Sequence, residues 1–464
     1  MSVKPQRRKR RIILVNDNIR DISGRSFEMA TLLLNGAQRL DYQPVLATNV
    51  SFDKPKAVDP SWKLHTVFHT SGLARWSMGP GGNSNFQRDL SGKTIGGGFF
   101  DKLQAMKLDL IGTPANRPRK MLEQWSDDFA SLVSTIKPTS ADTLLISAGD
   151  DFTLLALAGA LNRVELTPMR IDVIFQDAVY GPQQPDKKQR LKEVGRQIRD
   201  SLKALKPHKV HLHATTSALA AQLRETECGV RVTSIPYPTR SREIVSRSTK
   251  PPLKVMLASS RQDEPSKKGI STFLTGVEKA FLRDGSFRIA MQMPEDGWQS
   301  MVPSSLHRAY QISLDKNSPN EESETTDGNT SSLLEIKPEE MTPDNYHQWL
   351  DTADLGVFLY KPERYLVRSS STLLNLMIRG IPVIVPDQCS LAEQVRVAGG
   401  HRSLGFIYQH RDEIPGLMRQ FLRHRDKIQT CATKYVQSIA KQHDRTATLA
   451  KMGIQHATSK RSVA

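Results

Sequence analysis

The stretch Arg364–Pro386, RYLVRSSSTLLNLMIRGIPVIVP, concentrates groups that bind phosphate. Arg368, Ser369, Ser370, Ser371 and Thr372 precede an apolar helix; Gly380 ends it and PVIVP follows as a strand. A helix start offers unpaired backbone N–H groups, and hydroxyls and guanidinium groups add bonds to an anion. Arg364 stands on the same run. A simpler use of the same residues is that the serines cap the helix and the arginines face solvent. A second group, Ser259–Gly269 (SSRQDEPSKKG), directly follows an apolar strand and supplies Arg261 and Lys268 to the same kind of anion, although such a loop also occurs as ordinary surface. Proton removal needs a carboxylate or imidazole at the end of a strand. Asp150, Asp151, Asp177 and His213 each follow a strand of the N-terminal half, and Asp177, after IDVIFQ, is the first choice. All four are also residue types that cap or turn a chain. His65 and His69 are four apart, but Leu64–Phe68 reads as strand, which does not bring them together as a ligand pair.

The elements that must position these groups alternate. Arg11–Asn16 (RIILVN) is a continuous apolar run of buried-strand type, followed by the polar turn Asp17–Arg25 (DNIRDISGR), a helix from about Ser26 to Leu40 and a strand over Pro44–Thr48. Strand, glycine turn, helix and strand in about forty residues form a βαβ unit and predict a parallel sheet. Strands are expected at Leu144–Ser147, Ile171–Phe175, Lys209–Leu212 and Val230–Ile235, with helices over Asp150–Leu161, Arg190–Leu205 and Ser217–Glu225. Ser71–Phe100, with eight glycines, reads as a long loop or flap. Its SGKT (Ser91–Thr94) is not a phosphate-binding P-loop, because Gln87 stands where the first glycine is required. Thr239–Pro252 reads as a linker, after which the alternation restarts. Strands are expected at Leu253–Ala258, Phe287–Met291, Leu333–Ile336, Leu355–Tyr360, Pro382–Val385 and Phe406–Tyr408. Helices are expected over Gly269–Phe281, Thr342–Asp351, Ser370–Ile378 and most of Asp412–Ala464, and Asp315–Ser332 reads as a disordered insertion.

Two doubly wound halves would bind ligands beyond the carboxyl ends of their strands, facing a cleft. Neither half carries GxGxxG after its first strand, which argues against a nicotinamide or flavin; no cofactor is expected. The chain has 464 residues, with 65 Lys and Arg against 48 Asp and Glu, for a net charge of +17 that favours anionic partners. Nucleic acid is disfavoured, because aromatics make up only 6 % and the charge is spread without a zinc-finger, RNP or basic-zipper pattern. The exception is KPQRRKRR near the N-terminus, a solvated tail or a tether to an anionic membrane surface. The apolar runs are too short to span a bilayer, and no secretory signal is expected, since Met1–Arg11 leads into only four apolar residues. Three cysteines far apart imply a reduced, cytoplasmic compartment and no zinc site; no metal is expected.

The two-domain layout, SSR…SKKG and the block Ser369–Val395 together resemble the GT-B glycosyltransferases of the group 1 (family 4) type. The resemblance implies that Arg261 and Lys268 meet the donor diphosphate, and that Leu373–Pro386 belongs to the block holding the nucleotide sugar, with Glu393 at the following E-x-V. The helix-start reading above places Arg368, Ser370, Ser371 and Thr372 at the diphosphate, and the resemblance implies that Ser23, Gly24 and Arg25, within Asp17–Glu28, face the donor. Pro236-Tyr237-Pro238 looks like the closing prolines of the N-terminal domain. One departure stands out: the family's two glutamates eight positions apart are replaced by Val367 and Asn375. The expected fold is α/β, two Rossmann-like domains facing a cleft, with C-terminal helices. Residues 1–10 form a basic tail, 11–240 the acceptor-side domain, 241–252 a linker, 253–425 the donor domain and 426–464 a helical segment. The expected activity is metal-independent transfer of a sugar from a nucleotide-sugar donor to a saccharide or lipid-linked saccharide acceptor. The alternative is a non-catalytic binding or scaffold protein on a degenerate GT-B fold, motivated by Val367 and Asn375.

Overall fold

The computed structural model describes residues 9–70, 117–180, 186–240, 250–258, 267–293, 298–307, 333–338, 341–397 and 404–457. Residues 1–8 of the basic tail, the stretch 71–116 with its SGKT, most of the linker (241–249), the loop 259–266 with Arg261, and the insertion 315–332 lie outside the described residues. The chain divides into two compact units, Met1–Pro238 with His443–Ala464, and Thr239–Gln442.

In the first unit seven parallel strands line up in the order β3-β2-β1-β4-β5-β6-β7. They are β1 (Arg11–Val15), β2 (Gln43–Asn49), β3 (Lys63–Phe68), β4 (Thr143–Gly149), β5 (Arg170–Phe175), β6 (Lys209–Ala214) and β7 (Val232–Ser234). All five residues of β1 are buried, as expected of a central strand covered on both faces. Crossovers run through α1 (Gly24–Arg39), α2 (Arg117–Ile136), α3 (Asp151–Leu161), α4 (Lys187–Ala204) and α5 (Ser217–Glu225). Helix α2 was not expected from the sequence. Its buried Met121, Trp125, Phe129 and Leu132 recur at intervals of three and four, the helical period, and Phe129 meets Phe68 of β3 edge-on at 5.0 Å.

The second unit repeats the plan with six parallel strands in the order β10-β9-β8-β11-β12-β13. They are β8 (Leu253–Ala258), β9 (Phe287–Met293), β10 (Leu334–Pro338), β11 (Leu355–Phe358), β12 (Val383–Pro386) and β13 (Gly405–Tyr408). Its helices are α6 (Lys267–Val277), α7 (Pro343–Asp351), α8 (Ser371–Met377), α9 (Ser390–Val397) and α10 (Ile414–Gln442). Helix α9 was not anticipated, and α6 ends four residues early, continued by one π-type turn, Glu278–Leu282. Gly380 takes φ +66° just past α8, the left-handed conformation that stops the helix and that the sequence implied.

The stretch 426–464, read as one helical segment, is instead shared between the units. Helix α10 bends at His424 (φ −121°, ψ 20°) and ends at Gln442. From His443 the chain belongs to the first unit, where α11 (Arg445–Lys451) packs against α1. Gly36 on α1 permits that approach, since a Cβ there would stand 3.0 Å from the Arg445 carbonyl oxygen. Arg170 on β5 then donates to the carbonyls of Met452 (2.6 Å) and Gly453 (2.9 Å). Among the described residues no helix is long and apolar enough to cross a membrane, and no three His, Cys, Asp or Glu side chains gather as a metal would need.

Candidate functional site

The carboxyl edge of the first sheet is tied together by buried side-chain amides. Asn49, at the end of β2, donates to the Asp17 carbonyl (3.2 Å) beyond β1 and to the Thr70 carbonyl (3.1 Å) beyond β3. Asn16 donates to the Ser147 hydroxyl of β4 at 2.9 Å, and Gln176 beyond β5 donates to the Ser147 carbonyl. Asn49 and Gln176 satisfy backbone carbonyls that strand ends leave open, and Asn16 links the end of β1 to β4, so five parallel strands finish on one braced rim.

Two expected groups meet on that rim. Arg25, on the first turn of α1, places Nη2 3.4 Å from Asp177 Oδ1, both side chains about one-third exposed. The bond is long and open to water, so the pair is worth about 0–1 kcal/mol and can separate for a ligand. The Tyr237 hydroxyl donates to the Arg25 carbonyl at 3.3 Å and steadies its backbone. Gly24 takes φ +80°, which favours glycine, with open space where a Cβ would be. Ser23 stands at the N-cap of α1 but makes no capping bond; its N–H and hydroxyl both donate to Asp21 Oδ1, at 2.7 and 2.6 Å.

The other candidate bases of the first unit separate by environment. Asp150 is the N-cap of α3, accepting from the Thr153 N–H at 2.7 Å and closing a capping box. His213 is 2 % exposed, with Nε2 2.8 Å from Asp172, and is a core group. Burial drives the Asp172 carboxyl upward, but hydrogen bonds from Arg170 and His213 win and hold it below the usual range. Asp151 is buried 3.3 Å from Arg190; burial pushes its carboxyl up to about 6, against the pull of Arg190 and with the help of Asp150.

One pair was passed over in the sequence. His69 lies just past β3, where Asp128 of α2 binds it twice. The His69 backbone N–H donates to Asp128 Oδ2 at 2.9 Å, and Nδ1 meets Oδ1 at 2.8 Å. Gln124 donates to the same Oδ1 at 2.9 Å. The carboxylate side chain is 3 % exposed and the imidazole 58 %. The position of His69 at a strand end was legible, whereas a partner 59 residues away on an unanticipated helix was not.

In the second unit the phosphate-type residues cluster at the carboxyl ends of β11 and β12. The chain leaves β11 through Tyr360 and Tyr365, whose rings stack 4.5 Å apart and nearly parallel. It then reaches Arg368 and Ser369, both largely buried, and Ser370, the N-cap of α8, whose hydroxyl accepts from the Leu373 N–H at 3.2 Å. Ser371 and Thr372, half-buried, open the helix, and the Thr372 hydroxyl lies 3.0 Å from the Tyr346 hydroxyl. Helix α9 starts against this loop: Ser390 donates its N–H to the Tyr365 carbonyl (2.8 Å) and its hydroxyl to the Arg368 carbonyl. Ser390 thus fixes the Arg368 backbone, a role that sequence reading did not assign. Glu393 is exposed in the first turn of α9. Lys268 falls in the first turn of α6, and Arg261 lies outside the described residues.

Below this rim α8 is anchored by Arg379, which is fully buried. It donates to Asp351 Oδ1 (2.6 Å), the Asn375 carbonyl (2.7 Å) and His347 Nδ1 (2.9 Å). Asn375, where the resembled family has its second glutamate, is buried on α8, and Val367 is buried as well.

No family model matches the sequence, and no curated protein is similar to it in sequence. Solved structures are similar in fold. A UDP-forming α,α-trehalose-phosphate synthase from Burkholderia vietnamiensis is 11 % identical, covering 96 % of this chain and 100 % of its own, with a TM-score of 0.56. A trehalose-6-phosphate protein from E. coli bound with UDP-2-fluoro glucose is 12 % identical over 97 % and 99 %, with a TM-score of 0.57. A glycosyltransferase from Rickettsia africae is 12 % identical over 96 % of both chains, with a TM-score of 0.55. The chain therefore has the two-domain α/β fold of GT-B glycosyltransferases, as its sequence led one to expect.

Proposed function

We propose that the protein is a glycosyltransferase that moves a sugar from a nucleotide-sugar donor to a saccharide or lipid-linked saccharide. The reading is carried by the convergence of Arg368, Ser371 and Thr372 on one strand-end rim of the second unit, held by Ser390. Sugar transfer needs the leaving diphosphate neutralised and the acceptor hydroxyl positioned. Arg368, with Arg261 and with Lys268 from the first turn of α6, would neutralise the diphosphate without a metal ion, the Ser371 and Thr372 hydroxyls binding its oxygens. Ser23, Gly24 and Arg25 are proposed as a loop that meets a nucleotide sugar, with Asp177 beside Arg25. A cytoplasmic protein peripheral to the membrane fits this reading. Exposed Arg419, Arg423, Lys427, Lys434 and Lys441 on α10 add to the basic tail, each worth about 1 kcal/mol near an anionic surface.

Calorimetric titration with UDP, ADP, GDP and dTDP tests the reading. At least one nucleoside diphosphate is expected to bind, and Arg261→Ala, Lys268→Ala and Arg368→Ala are each expected to weaken it by about 1.5–3 kcal/mol, roughly 10- to 150-fold. No binding at millimolar ligand refutes the transferase reading and favours the non-catalytic scaffold that Val367 and Asn375 suggest.

A further inference from the structure

We propose that the amino-terminal edge of the first unit's sheet is a docking surface for an anionic lipid bilayer; this does not rest on the transferase reading above. The seven strands are parallel, so all of them start on that one edge. Lys9 leads into β1, Lys63 opens β3, Lys209 opens β6 and Arg231 immediately precedes β7, and all four are exposed. β3 and β7 are the outer strands, so these charges span six strand spacings, about 29 Å. Among the described residues none of the four meets a carboxylate, whereas exposed cations elsewhere on the unit do: Lys187 lies 3.2 Å from Glu225 and Arg163 lies 2.7 Å from Asp127. Exposed Arg39, Lys137 and Lys203 add to the edge at the ends of α1, α2 and α4. A cation at a helix end is accounted for by the helix dipole. The four at the strand starts are not in a last helical turn and need another reason. The acids facing them are few: Asp41, Asp59, Glu165 and Glu227, of which Asp41 meets His456 at 3.0 Å and Asp59 binds the Ser61 N–H at 2.9 Å. The positive field reaches the imidazoles of the same edge. Burial first, then Lys63 and Arg11, holds His65 below its ordinary value. His211 is lowered by burial, with Arg170 and Lys209 adding to it against Asp172.

The first and last described residues of the unit also lie on this edge: Lys9 next to β1, and Ala457, whose N–H donates to the Leu40 carbonyl between α1 and β2 at 2.9 Å. The sequence beyond them, outside the described residues, brings Lys4, Arg7, Arg8, Lys460 and Arg461. Chemistry favours a bilayer over nucleic acid as the partner. Most of the exposed cations are lysines, hydrated point charges suited to a diffuse anionic surface, whereas recognition of individual phosphates favours the planar arginine fork. Tyr42 and Trp62, the aromatic residues just before β2 and β3, are buried and present no ring for a base to stack on. The rim carrying Arg25 and Asp177 is at the other end of the same strands, about 20 Å away along a six-residue strand such as β5, so docking leaves it open.

The test is co-sedimentation of the full chain with vesicles of mixed phosphatidylglycerol and phosphatidylcholine, and with vesicles of phosphatidylcholine alone. Binding to the mixed vesicles is expected and binding to phosphatidylcholine is not. At about 1 M salt, where the Debye length falls to about 3 Å, binding is expected to vanish. Lys63→Gln, Lys209→Gln and Arg231→Gln are each expected to weaken binding about fivefold, and the triple variant about 100-fold. A second triple variant, Arg419→Gln with Arg423→Gln and Lys427→Gln on α10, removes the same charge elsewhere and is expected to lose less. Thermal unfolding checks that each triple variant is folded, and the three single variants replace the first if it is not. Native binding by the edge variants, or an equal loss from the α10 variant, overturns the assignment. So does a native chain that ignores the mixed vesicles, or one that binds duplex DNA or single-stranded RNA more tightly than vesicles of equal phosphate content.

Discussion

Asp151→Asn is expected to stabilise the protein at neutral pH and to lose that advantage in acid. Asp151 opens α3 with its side chain almost fully buried, facing Arg190 at 3.3 Å. Burial, reinforced by Asp150, raises its carboxyl from 3.8 to about 6 in spite of Arg190. The folded value lies above the unfolded one, so the folded state binds the proton more tightly. Below about pH 4 both states are protonated and the group contributes nothing. Between about pH 4 and 6 the unfolded chain has released a proton that the native chain still holds, so stability falls as pH rises. Above about pH 6 the full cost is present: a shift of about two units at about 1.4 kcal/mol each, or about 3 kcal/mol. Asparagine is neutral throughout. The stability difference between the variant and the native chain should therefore grow by about 3 kcal/mol from pH 4 to pH 7, most of it between pH 4 and 6. Urea unfolding of both chains at matched pH values reads that difference, in which other titrating groups and any constant effect of the substitution cancel. A difference that stays flat across the range refutes the assignment of a buried, strained carboxylate at Asp151.

Three further expectations concern buried contacts and glycines. Arg379→Met removes the buried guanidinium bonds to Asp351 and His347 and should cost about 3–5 kcal/mol by equilibrium unfolding, part of it recovered when Asp351→Asn is added. Gly195→Ala places a Cβ 1.8 Å from the Thr226 carbonyl oxygen, so thermal unfolding should show a loss of about 1–3 kcal/mol. Gly276→Ala, with nothing within 4 Å of the new methyl near the end of α6, should instead gain about 0.5–1 kcal/mol.

The order of elements was readable because it rests on local chemistry. Strands covered on both faces must be continuously apolar, as RIILV and LKVMLA are, and the helices between them must carry one apolar stripe. Ser217–Glu225 and Leu253–Ala258 form over the expected residues for that reason. Capping is equally local: Asp150 and Ser370 precede apolar helices and cap them. Helix α2 carried the same signal in Met121, Trp125 and Phe129, although it was not read there.

The sequence by itself thus determined two wound parallel sheets and the phosphate-type residues of the second, because hydrophobic period, glycine stops and caps act within a few residues of one another. Only the tertiary structure decided which candidate acids and bases are spent on the core and which remain at the rim. Asp172 and His213 come from adjacent strands, Asp128 and His69 from a helix and a strand end, and no local pattern distinguishes those pairings. The physical reason is that a side chain's chemistry depends on its burial and its partner, and both are set by segments brought together from distant parts of the chain.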